Sequence, residues 1–104
     1  MRNDLAIKDL SCTDLHKAYL PGVDMSGADL SHSCLCYSDL AGARLAGADL
    51  SNAKMFHADL HDANLSGANL SNADFGEAHL RNADLKGANI DGANFYNADL
   101  DGVK

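Results

Sequence analysis

The chain has 104 residues, a formal net charge of −7, three cysteines and a single proline, and 46% of its residues are apolar. This length suits one domain covering 1–104, and the acidic balance argues against nucleic acid or an anionic membrane as a direct partner. No N-terminal apolar run reads as a signal peptide, no stretch could cross a bilayer, and cysteines without an even framework fit a reducing compartment, so the expected location is cytoplasmic.

From Leu5 to Leu100 every fifth residue is Leu, Ile, Met or Phe, and outside that column only Met1, Ile7 and Phe56 carry such side chains. A period of five matches neither an amphipathic helix nor a half-buried strand. The residue two before the anchor is Ala at 14 of the 20 anchors, and the residue just before it is Asp at 11 and Asn at 4. Over this lies a longer period, because SGADL (26–30), AGADL (46–50), SGANL (66–70) and KGANI (86–90) recur every 20 residues. Such spacing predicts an all-β solenoid of about five coils with four pentapeptides per coil. The first side holds the anchors Leu5, Met25, Leu45, Leu65 and Leu85, and the other three sides follow at five-residue steps. If each anchor points inward, the Ala two positions earlier fits beside it and the interior packs solid. Coils stacked ~4.8 Å apart make a rod about 24 Å long.

Taken along the chain, the first coil places Asn3, Lys8 and Thr13 at the small inward positions, polar substitutes that suit an exposed end. Pro21 follows, also in the first coil, where a missing N–H is expected to cost least. From there the second residue after most anchors is Gly (22, 27, 42, 47, 67, 87, 92, 102) or Asn (52, 72, 82, 97), as the positive φ of a type II turn requires.

These repeats resemble the pentapeptide-repeat family over roughly residues 3–103. The resemblance implies a right-handed quadrilateral β-helix, and handedness comes from the resemblance alone. It implies little about function, since many members have no known role. Some protect DNA gyrase as long acidic dimers that imitate a DNA duplex.

The third side breaks the corner rule. Lys17, Tyr37, His57 and Glu77 stand where Gly or Asn is expected, beside a column of His16, Cys36, Phe56, Gly76 and Tyr96. Outward Phe56 and Tyr96, with Tyr37 and His57 close by, form a candidate protein-binding patch. The plainer reading is a corner of a different turn type whose side chains lie flat over one another.

Two opposite sides are acidic. Asp9, Asp29, Asp49 and Asp91 lie on the second, and Asp39, Asp59, Asp62, Asp99 and Asp101 on the fourth. Stacked carboxylates repel, so the columns either imitate phosphates for a basic partner or hold the coil through side-chain to backbone hydrogen bonds. Asp29, Asp39, Asp49 and Asp59 are the candidates for the first role.

Cys34, Cys36 and His16 could converge on a metal, but a fourth ligand is not evident and structural or incidental thiols are favoured. A Cys34–Cys36 disulfide would strain its short loop. His61, Asp62, His79 and Asp59 share the fourth side on a flat wall without a pocket, and no phosphate-cradling loop, nucleophile elbow or zinc-helix motif is present. No enzymatic activity and no cofactor are expected. At the C-terminal end Ala88, Ala93, Ala98 and Val103 sit beneath Leu85, Ile90, Phe95 and Leu100, an apolar slice expected to join two copies as a homodimer. The chain therefore reads as a non-catalytic protein interaction module, with acidic DNA mimicry toward DNA gyrase or a related type II topoisomerase as the alternative.

Overall fold

The computed structural model describes residues 9–104. Asn3, Leu5 and Lys8 therefore lie outside the described residues. Fifteen parallel single-residue bridges each join a residue to the one 20 positions later, from Asp9–Asp29 to His79–Asp99. The bridged residue is always the one before an anchor, so the Asp and Asn column of the repeat is also its pairing column. Around each bridge the anchor and corner N–H groups donate to the following coil, as in Leu30 N to Asp49 O (2.7 Å) and His32 N to Ser51 O (3.0 Å), while Asp49 N donates back to Ala28 O (2.9 Å).

Between bridges the chain turns. Nineteen times, from Thr13 N to Leu10 O through Val103 N to Leu100 O, the residue at the Ala position donates to the preceding anchor carbonyl. Each turn has one central residue with φ between 55° and 73°, supplied by eight Gly and eleven other residues, which is the type II pattern. Lys17, Tyr37, His57 and Glu77 have φ of 62°, 61°, 59° and 60°. The third-side corner thus departs from its neighbours in residue type and not in turn geometry. Left-handed φ costs an L-residue roughly 1–2 kcal/mol, so these four positions carry strain that Gly would avoid.

Every anchor from Met25 to Leu80 has no exposed surface, and the alanines at the small inward positions from Ala28 to Ala83 are at most 1% exposed. The core is one continuous column, built by the rule that a large anchor alternates with a methyl group. Phe75 and Phe95 stack within it at 5.2 Å and 7° between ring planes. Two serines replace Ala in the interior, and each satisfies itself: Ser33 Oγ donates to Leu30 O and Ser38 Oγ to Leu35 O, both at 2.6 Å. The principal-axis extents are 34 × 26 × 22 Å. Among the described residues no helix is long and apolar enough to cross a membrane.

Candidate functional site

The outer wall is organised by one repeated hydrogen bond. At all ten Asp and four Asn of the pairing column, from Asp9 to Asp99, Oδ1 accepts the backbone N–H two residues later at 2.9–3.1 Å. This is an Asx turn, in which a side-chain carbonyl replaces a backbone one. Where a serine follows an Asp, its hydroxyl donates to the same oxygen, as in Ser31 to Asp29 (2.7 Å) and Ser51 to Asp49 (2.6 Å). Those bonds hold Asp9 and Asp24 below the usual carboxylate range, the Ser11 and Ser26 hydroxyls leading and their N–H groups adding to the effect.

The same pattern accounts for the proline. Among the described residues no backbone carbonyl receives the N–H of the residue after an anchor. At Pro21 the residue two before is Tyr19, which offers no carbonyl, so the missing donor costs nothing. Position in the first coil is not the reason.

Asp29, Asp39, Asp49 and Asp59 are half-buried on the wall. Asp9, Asp29 and Asp49 are bridged in succession, as are Asp39 and Asp59, after which Asn69 and His79 interrupt the two rows of charge. On the fourth side His61 Nδ1 lies 2.7 Å from Asp59 Oδ1 and Nε2 lies 4.0 Å from Asp62. The Asp59 hydrogen bond and charge raise the His61 pKa. Burial pushes Asp59 up, but the bonds from His61 outweigh it and leave the carboxyl low. Arg81 reaches both Asp99 (3.2 Å) and Asp101 (3.5 Å). The surface depression lined by Tyr19, Leu20, Pro21 and Val23 has no carboxylate, imidazole or thiol. Among the described residues no three His, Cys, Asp or Glu side chains are placed to hold a metal ion.

On the third side the rings pack together. Tyr37 stacks on His57 of the next coil at 4.9 Å and 12°, while Phe56 meets His57 edge-on at 4.3 Å and 80°. His16 closes the other end, 6.0 Å from Tyr37 and perpendicular to it. Aromatic pairs contribute about 0.5–1.5 kcal/mol beyond burial, which offsets part of the corner strain. Tyr37 is nevertheless 52% exposed and Phe56 37%. Phe56 leans over the following coil, where Gly76 leaves it room. Tyr96 stands beyond that glycine, 69% exposed, and makes no ring contact with the others among the described residues. The patch is therefore a packed cluster of His16, Tyr37, Phe56 and His57 with Tyr96 set apart. Tyr19, 78% exposed on the fourth side, was not anticipated, although its place in an Asp or Asn column marks it.

The three cysteines are free: Cys12 is exposed and Cys34 and Cys36 are half-buried. At the C-terminal end Leu85 and Phe95 pack partly against the core, whereas Ile90 and Leu100 are 51% and 43% exposed.

Comparison with known proteins follows the same repeat. The family model for pentapeptide repeats matches in eight copies over residues 9–35, 37–72 and 68–104. A pentapeptide repeat protein of the Arabidopsis thaliana thylakoid lumen is 30% identical with a TM-score of 0.70, covering 99% of this chain and 66% of its own. One from the cyanobacterium Cyanothece is 40% identical with a TM-score of 0.60, covering 79% of this chain and 59% of its own. A trypsin-treated variant of QnrB1, a plasmid-mediated fluoroquinolone resistance protein, is 26% identical with a TM-score of 0.78, covering 96% of this chain and 59% of its own. The chain thus matches 59–66% of the length of these three proteins. Comparison with curated proteins found no match. With eight matched repeats and a solenoid assembled on their 20-residue spacing, the chain belongs to the pentapeptide repeat family.

Proposed function

We propose that this protein is a non-catalytic, cytoplasmic interaction module that presents the third side to a protein partner. The observation that carries the reading is the half-exposed cluster of Phe56 with Tyr37 and His57, two corner residues that hold positive φ without being Gly or Asn. Strain retained at an exposed position is a reason to look for function there, and exposed aromatic residues supply much of the energy at protein interfaces. Tyr96 extends the surface past Gly76. The test compares affinity for a captured partner before and after Tyr37→Ser, Phe56→Ser and Tyr96→Ser are combined. Loss of binding is expected, with binding retained when Asp29→Asn, Asp39→Asn, Asp49→Asn and Asp59→Asn are combined; the reverse pattern refutes the reading.

The proposal takes the solenoid as right-handed and four-sided with about five coils. A turn every five residues and bridges every 20 support the four sides, and the handedness rests on family resemblance.

A second reading is favoured by the bridged Asp9, Asp29 and Asp49 and by the similarity to QnrB1. In it the acidic sides imitate DNA toward DNA gyrase or a related type II topoisomerase. The Asx turns weaken this reading, because they give each Asp of the pairing column a structural task that Asn performs equally well. Inhibition of gyrase supercoiling by the native protein, lost in the Asp→Asn combination, would favour mimicry.

A homodimer through Leu85, Ile90, Phe95 and Leu100 remains part of the proposal. Among the described residues the C-terminal edge carries both unpaired donors, anchor N–H groups, and unpaired acceptors, carbonyls at the Ala positions, and the four apolar anchors supply the side-chain contact. Phe95→Asp should yield monomers by light scattering; an unchanged mass removes the dimer.

A further inference from the structure

We propose that Cys34 and Cys36 are a reversible thiol–disulfide exchange site on the third side. They occupy the residue before the anchor Leu35 and the residue after it. At equivalent pairs the two side chains project to the same outer face and touch: Ser11 Oγ to Asp9, Ser26 to Asp24, Ser31 to Asp29 and Ser51 to Asp49 all lie at 2.6–2.7 Å, as does His61 to Asp59. Placing sulfur at both positions brings two thiols together on a rigid wall.

Three further observations fit. Both residues are half-buried rather than enclosed, as access by a small reagent requires. Cys34 stands where fourteen other repeats have Asp or Asn with an Asx turn, so the pair forgoes that turn. Finally, burial and the neighbouring Cys34 raise the Cys36 pKa, which disfavours its thiolate, and Cys34 is bridged on one side to Asp14 and on the other to Lys54.

The step needs a disulfide as oxidant, such as oxidised glutathione. The Cys34 thiolate attacks one sulfur of that disulfide, forming a mixed disulfide and expelling a thiolate that takes up a proton. Cys36 then gives up its proton and attacks Cys34 Sγ, which releases the second small thiol and closes Cys34–Cys36. Two electrons pass from the protein thiols to the oxidant. A ring closed over the single residue Leu35 is strained, and strained, accessible disulfides are the readily reduced ones. The expected strain therefore favours reversibility and does not forbid the bond.

Cys12 is an internal control, since it lies on another side and is exposed. Trypsin cuts after Lys17 and Arg44, so the pair travels in one peptide and Cys12 in another. The native protein is treated with oxidised glutathione, alkylated and mapped by mass spectrometry, before and after reduction with dithiothreitol. The expected result is a 18–44 peptide lighter by two hydrogens and blocked to alkylation, restored by reduction, with Cys36→Ser stalling as a glutathione adduct on Cys34. Alkylation of all three thiols after oxidation overturns the proposal. So does a disulfide that involves Cys12 or a second chain, or an adduct that forms equally on Cys36 when Cys34→Ser is tested.

Discussion

Phe56 lies across Gly76 of the next coil, so closely that a Cβ on residue 76 would stand 3.1 Å from Phe56 Cδ1 and 3.1 Å from Asp74 Oδ1. Gly76 has no positive φ, so its lack of a side chain serves the ring above it and not the backbone. Gly→Ala at an unstrained position ordinarily stabilises by about 0.4–1 kcal/mol. Here Gly76→Ala should instead destabilise by up to about 1 kcal/mol, because Phe56 must move and lose contact. In a Phe56→Ala background the same change should become stabilising, and a double-mutant cycle in urea would read the difference as coupling. Equal effects in both backgrounds would show that the two residues do not touch.

The Asx turns separate charge from structure. Asp49→Asn keeps the acceptor for Ser51 N–H and should be nearly neutral, as Asn64, Asn69, Asn89 and Asn94 already make the bond. Asp49→Ala loses the acceptor and should cost about 0.5–1.5 kcal/mol. Denaturant midpoints of the two variants compare the effects directly, and similar losses would mean that charge, not the turn, stabilises the wall.

Pro21 suggests where another proline is tolerated. Ala46 occupies the equivalent place after Leu45, and Arg44 two residues earlier provides no acceptor for its N–H. Proline also presets the φ of the first central turn residue. Ala46→Pro should therefore be neutral or stabilise by about 0.4–1 kcal/mol, whereas Ser51→Pro, which forfeits two bonds to Asp49, should destabilise. Thermal melts of both variants check the contrast.

The His61–Asp59 pair sets a pH window. The raised His61 pKa contributes stability that is full below the unfolded value of about 6.5 and is lost as pH rises through the folded one. The lowered Asp59 pKa contributes stability present above about 4 and lost as pH falls through its folded value. The deficit of His61→Gln relative to the native protein should be greatest between these limits and stay below ~1 kcal/mol, as for other exposed pairs. A pH-independent deficit would rule out the ion pair.

Much of the fold was legible because each five-residue unit repeats one packing problem. Leu, Met or Phe at the anchor and Ala two before it announce an inward face, and Gly22 or Asn52 announces a positive φ. Less was legible at the surface. Tyr37 and His57 adopt the same φ as the glycines without belonging to the expected residue types. That Phe56 leans over Gly76, and thereby separates itself from Tyr96, depends on a rotamer that spacing does not specify. The reason for Pro21 lies in a pattern that spacing alone does not show: the N–H after an anchor serves an Asx turn at fourteen repeats and takes no part in the ladder between coils.

The most direct test of the proposed binding side is site-specific photo-crosslinking in cells, with a photoreactive phenylalanine placed in turn at Tyr37, Tyr96, Asp49 and Asp59. The account predicts discrete protein adducts from positions 37 and 96 and none from 49 and 59. Adducts from 49 and 59, with none from the aromatic positions, would contradict it and place the functional surface on the acidic sides.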